Sequence, residues 1–129
     1  MDTAELNILA GWIAMLFGVL SGAAIGLFFH LDAWAGGYAS FRRRMLRLAH
    51  ISFFGIGFIN LLYGLSLKAV HIAQLHATIA SCALIAGIVL MPLCCYLTAW
   101  KKYFRHLFPL PVLCIGTGII AFIYGWYVA

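Results

Sequence analysis

From Leu6 to Phe29 the chain runs without one charged side chain, and three further stretches are nearly as apolar: about Leu46 to Leu67, Ile72 to Ala99 and Pro109 to Val128. Such runs suit only one solvent. Hydrocarbon offers no water to backbone N–H and C=O groups, so a spanning segment must satisfy them internally, and a helix of about 20 apolar residues does so. The runs are too continuous for barrel strands, which alternate apolar and polar residues. With 66% hydrophobic and 9% charged residues, the 129-residue chain has too little polar surface to coat a water-soluble domain. The expected fold is all-α: a single transmembrane domain over residues 1–129, an integral membrane four-helix bundle with helices over about 6–29, 46–67, 72–99 and 109–128.

The few charges orient this bundle. Seven of the eight Lys and Arg residues lie in or beside the first and third connections, about 30–45 and 100–108, and only Lys68 lies in the second. The positive-inside rule then places both basic loops in the cytoplasm and both termini on the outer, periplasmic side, as for a bacterial inner membrane. Aromatic residues mark the same boundaries, with Trp34, Tyr38, Trp100 and Tyr103 inward and Trp12, Tyr63, Tyr124, Trp126 and Tyr127 outward. Asp2 and Glu5 precede the first span and no Lys or Arg does, so that span reads as a retained helix and not a secretory signal. The net charge of +5 reflects attraction to a lipid surface and not nucleic-acid binding. Arg42, Arg43, Arg44 and Arg47 are expected to meet lipid phosphates or a partner from an interfacial Phe41–Met45 stretch. The similar contexts Leu31-Asp-Ala33-Trp34 and Leu97-Thr-Ala99-Trp100 suggest two parallel hairpins, a 2+2 repeat.

Small residues recur where helices must approach. Ala14, Gly18, Gly22 and Gly26 form a stripe of every fourth residue in the first span, and Gly57 and Gly64 offer a facing groove in the second. Pro92 removes a hydrogen bond to the Ile88 carbonyl and is expected to bend the third span.

The acids Asp2, Glu5 and Asp32 all lie outside the spans, which argues against an ion-coupled pump. No nucleophile–base set, HExxH motif or phosphate loop is present, so the sequence offers no autonomous catalytic motif, argues against a hydrolase or NTPase, and allows at most an electron-transfer subunit. Chemistry falls to the polar residues of the spans. His50 lies about one turn inside the second span and needs a partner. With His30 it comes closest to a pair able to hold haem b, while His50, Ser52 and Asn60 line up as a polar site suited to a quinone headgroup; His76 is a further candidate at the outer side. Cys82, Cys94, Cys95 and Cys114 are expected to serve as small packing residues, with a soft-metal site the sharper alternative.

In outline the chain resembles membrane-anchor subunits of respiratory complexes and small b-type cytochromes. The resemblance is one of architecture and implies a respiratory or redox complex subunit binding haem b or quinone near its cytoplasmic side, alongside other membrane subunits or further copies of itself. A self-contained Cys/His-dependent metal or small-solute carrier, or a cofactor-free scaffold, would be the alternatives.

Overall fold

The computed structural model describes residues 1–129 and contains helices and no strands. Four helices are long and apolar enough to cross a membrane: α1 (Thr3–Leu27), α2 (Phe41–Ala69), α3 (Gln74–Trp100) and α4 (Pro109–Tyr127), the last preceded by a short 3-10 turn. The chain is an integral membrane protein, and its polarity is arranged for lipid. Trp12, Leu16, Phe17, Leu62, Val89 and Ile120 are exposed, whereas Asn7, Ser52, Asn60, Ser81 and Thr98 are buried. Lipid tails are as apolar as leucine, so helices associate through close packing of small residues and through hydrogen bonds between helices.

Capping, and not hydropathy, sets where α1 and α2 begin. α1 starts at Thr3 because Asp2 accepts a hydrogen bond from the Glu5 N–H (2.7 Å) and Glu5 accepts one from the Asp2 N–H (3.1 Å), a capping box. It ends at Leu27, leaving His30 outside it. α2 begins at Phe41, well ahead of its apolar run, because Ser40 Oγ accepts from the Arg43 N–H (3.1 Å) and donates to the Ala35 carbonyl (2.7 Å). The Phe41–Met45 stretch is therefore the opening turn of α2. The chain reaches it through three left-handed residues, Ala35, Gly36 and Gly37 (φ 55°, 87° and 94°), the last two glycines for which that conformation carries no Cβ penalty. α3 is assigned helical through Pro92, and α4 opens on Pro109 and Pro111, where the missing N–H leaves no bond unmade.

This early start changes the role of the arginines. Arg43 was expected at lipid phosphates, but its side chain turns inward and is only 2% exposed. The guanidinium lies 4.5 Å from the Phe29 ring centroid, 5.4 Å from Tyr38 and 5.5 Å from Trp34, and Nη2 donates to the Phe29 carbonyl at 2.9 Å. Aromatic faces replace water around the charge and peg the first connection to α2. Arg42 Nε donates to the Ala99 carbonyl of α3 at 3.2 Å. Arg44 stays exposed, and half-buried Arg47 stacks over Tyr38 at 4.9 Å.

Consecutive helices pack antiparallel, which brings α1 and α3 parallel to one another. Along the α1–α2 seam a Cβ on Gly11 would lie 2.7 Å from the Gly57 carbonyl, and one on Gly64 would lie 2.6 Å from the Ala4 carbonyl. Ala14 is buried in this seam, Gly18 lies under Phe54 and Gly22 under His50, but the stripe stops there: a Cβ on Gly26 would meet nothing within 4 Å. Polar pairs join the other helices. Asn7 Nδ2 donates to Ser81 Oγ, Asn60 Nδ2 to the Leu84 carbonyl (3.2 Å) and the Tyr63 hydroxyl to the Ala77 carbonyl (2.7 Å). α4 leans on α3 with Leu84, Ile115 and His76 seated at Gly118, Gly87 and Gly125, and it touches α2 where Phe122 meets Tyr63 edge-on at 5.4 Å.

Candidate functional site

Because α1 and α3 touch only lightly, a gap opens between them on the membrane side, floored by Phe53 of α2. The resulting groove has a volume of about 360 Å³ and walls that are almost wholly apolar, from Ile13 and Phe17 on α1 and Val89, Pro92 and Leu93 on α3. Phe17 and Phe53 stack across it with centroids 6.1 Å apart. Pro92 lines the wall and leaves the Ile88 carbonyl without its usual helical donor.

Tyr96 lines one end of the groove. There the hydroxyls of Ser21 on α1 and Tyr96 on α3 hydrogen-bond across the gap, with the Tyr96 ring 6.5 Å from that of Phe53. Tyr96 lies four residues before the end of α3, ~6 Å at 1.5 Å per residue, so the pair sits inside the apolar span near the arginine- and lysine-bearing end. An apolar slot with a hydroxyl pair next to one end fits an amphipathic molecule with an apolar body and a small polar head.

His50 occupies the adjacent α1–α2 seam. Its Nδ1 is 2.8 Å from the Gly18 carbonyl, and since a carbonyl only accepts, Nδ1 is the donor, which in the neutral ring leaves the lone pair on Nε2. The ring crosses Gly22 and meets Phe54 edge-on at 5.4 Å. A backbone bond at one nitrogen that fixes the ring and leaves the other free is the arrangement metal-ligating histidines use. His30 does not join it. It is exposed beyond the end of α1, eight residues past Gly22 and ~12 Å further along at helical rise.

The remaining candidates lie elsewhere. Ser52 Oγ donates to the Ala49 carbonyl of its own helix (2.7 Å), and Asn60 spends its amide N–H groups on the Ile56 (3.0 Å) and Leu84 (3.2 Å) carbonyls, so neither lines a cavity. His76 sits between α3 and α4 near the chain termini, its ring 5.3 Å from Tyr124 and its Nδ1 buried without a partner. A second cavity of about 440 Å³ opens at that end, between Thr3, Leu67 and His71. Cys94 and Cys95 are buried, Cys114 is half-buried and Cys82 exposed; all four are free thiols, and no three His, Cys, Asp or Glu residues are grouped as a metal site.

Ser21 and Tyr96 were not singled out from the sequence. Their separation of 75 residues nearly equals the 74 between Asn7 and Ser81, the other α1–α3 pair, and that shared offset is their only trace in the sequence. It acquires meaning once α1 and α3 are known to run parallel. Comparison with protein-family profiles, curated proteins and solved structures returned no match to this chain.

Proposed function

We propose that this chain is a small polytopic subunit of a redox complex in a bacterial inner membrane, and that it binds a quinone in the α1–α3 groove. The observation that carries this reading is an apolar groove lined at one end by Tyr96, whose hydroxyl is hydrogen-bonded to Ser21. The groove walls would hold the apolar body of the quinone. The Tyr96 hydroxyl, held by Ser21, would donate a hydrogen bond to a ring oxygen. The positive-inside rule puts that end at the cytoplasmic boundary and both termini in the periplasm. The two antiparallel hairpins, α1–α2 and α3–α4, are compatible with a 2+2 repeat.

Binding of a decyl-substituted benzoquinone to the chain in lipid nanodiscs tests the reading directly. Tyr96→Phe should weaken binding about five- to tenfold, the loss expected for one hydrogen bond of about 1 kcal/mol. If decane or a decyl alcohol competes equally, the groove is an acyl-chain site and the quinone reading is wrong.

His50 favours a second reading, an axial ligand to haem b through its free Nε2. With His30 beyond the end of α1, the opposite ligand would come from a partner chain. A reduced-minus-oxidised spectrum of the native complex decides this: a b-type band lost in His50→Ala supports it, and absence of extractable haem ends it.

A further inference from the structure

The two basic clusters, far apart in sequence, meet in space. Arg42 Nε donates to the Ala99 carbonyl (3.2 Å), and Lys102 Nζ rests 5.4 Å from the centre of the Phe41 ring, so the start of α2 and the end of α3 form one cationic surface. Lys101 stacks on Trp100 at 4.9 Å. Nothing in the chain neutralises this surface. Of the three acids, Asp2 and Glu5 are engaged in the capping box at the opposite end of α1, which leaves only exposed Asp32 against seven Lys and Arg residues.

Next to Arg42 in the chain, Arg43 is almost completely buried, bonded to a backbone carbonyl and to no carboxylate, and its Nε has no partner at all. A buried guanidinium without a counter-ion is electrostatically unfavourable, and an anion placed over it relieves that cost. The N-terminus of the 29-residue α2 adds its positive dipole end at the same place. The carbonyl end of α3, which would repel an anion, is covered by Arg42 itself. Trp100 and Tyr103 are exposed alongside, the residue types that settle at headgroup depth, and the apolar lipid-facing surfaces of α2 and α3 continue from this end.

We propose that the surface formed by Arg42, Lys101 and Lys102, at the end of the bundle that also holds buried Arg43, is a binding site for the headgroup of an anionic phospholipid, best filled by a diphosphate headgroup of the cardiolipin type. Arg42 and Lys102 are the clamp, one from each helix pair. Their cations are held in place by a carbonyl and a ring and do not range freely through water, so little order is lost when phosphate binds. The lipid would also bridge α2 to the turn after α3. A lipid is favoured over soluble phosphate because the site lies at a membrane boundary with acyl-chain surface beside it.

The test uses the full chain, delipidated in neutral detergent, with cardiolipin or phosphatidylcholine titrated in and retained lipid counted by native mass spectrometry. Cardiolipin should be retained about tenfold better than phosphatidylcholine, and Arg42→Gln with Lys102→Gln should remove that preference. Arg44→Gln with Lys68→Gln removes the same charge from positions outside the clamp and should change retention less than about twofold. Both clamp positions are exposed, and circular dichroism verifies that each variant remains helical. Equal retention of the two lipids, or equal loss in the two double variants, overturns the proposal. So does displacement of cardiolipin by millimolar inorganic phosphate, which would make this a free-anion site.

Discussion

The α1–α2 and α3–α4 seams are both built on glycine, yet they use it in different ways. Along the half of α1–α2 nearer the chain termini, Gly11 and Gly57 bring backbone against backbone and Gly64 admits the Ala4 carbonyl, while further along Gly18 and Gly22 seat the Phe54 and His50 side chains. Along α3–α4, glycines are sockets for side chains: Gly87 receives Ile115 and Gly118 receives Leu84. A side chain in a socket can rotate or repack, whereas a backbone carbonyl in a helix moves only if the helix moves. The Gly11–Gly57–Gly64 stretch of the first seam should therefore be rigid and specific, and the second seam more forgiving.

Alanine substitutions break or sharpen that contrast. The largest effect is expected for Gly11→Ala, whose Cβ would meet the Gly57 carbonyl at 2.7 Å and the Leu61 N at 3.0 Å. The helices must separate, at a cost of about 2–3 kcal/mol in reversible detergent unfolding. A stability equal to the native chain would show that the seam is not close-packed. Next comes Gly22→Ala, where the new Cβ strikes the His50 ring. Loss of the Nδ1 bond to Gly18 should cost about 1–2 kcal/mol. Nitrogen NMR of the imidazole should then report a changed tautomer balance, and an unaltered spectrum would argue against the bond. Gly87→Ala presses on the Ile115 side chain and should cost about 1 kcal/mol; a loss as large as that of Gly11→Ala would erase the distinction between the seams. Smallest and opposite in sign is Gly116→Ala on α4, where a Cβ meets nothing within 4 Å. It should stabilise by up to about 1 kcal/mol through helix propensity, and a clear destabilisation would point to a partner packed on that face.

The arginine run shows how far residue patterns carry. Hydropathy placed the run outside the membrane core, but Ser40 starts α2 at Phe41, and that start turns Arg43 into an aromatic cage assembled from Phe29, Trp34 and Tyr38. No local pattern encodes that cage, since its rings come from the preceding connection and its cation from the helix. The polar line of His50, Ser52 and Asn60 is similar. All three were visible as polar residues in a span, but their partners are the Gly18, Ala49, Ile56 and Leu84 carbonyls, and a carbonyl has no sequence signature. The Ser21–Tyr96 pair could be found only by knowing which helices lie side by side.

What the sequence alone determined is the solvent, the number of spans and the gathering of positive charge at one end. These follow from composition and run length, because the free energy of placing a segment in hydrocarbon depends on its own residues. Tertiary structure decided which glycines face which backbone, that Arg43 is buried, that the two basic clusters join, and that a groove ends on Tyr96, bonded to Ser21. Those depend on the rotation and register of one helix against another, and both are fixed by packing between residues far apart in the chain.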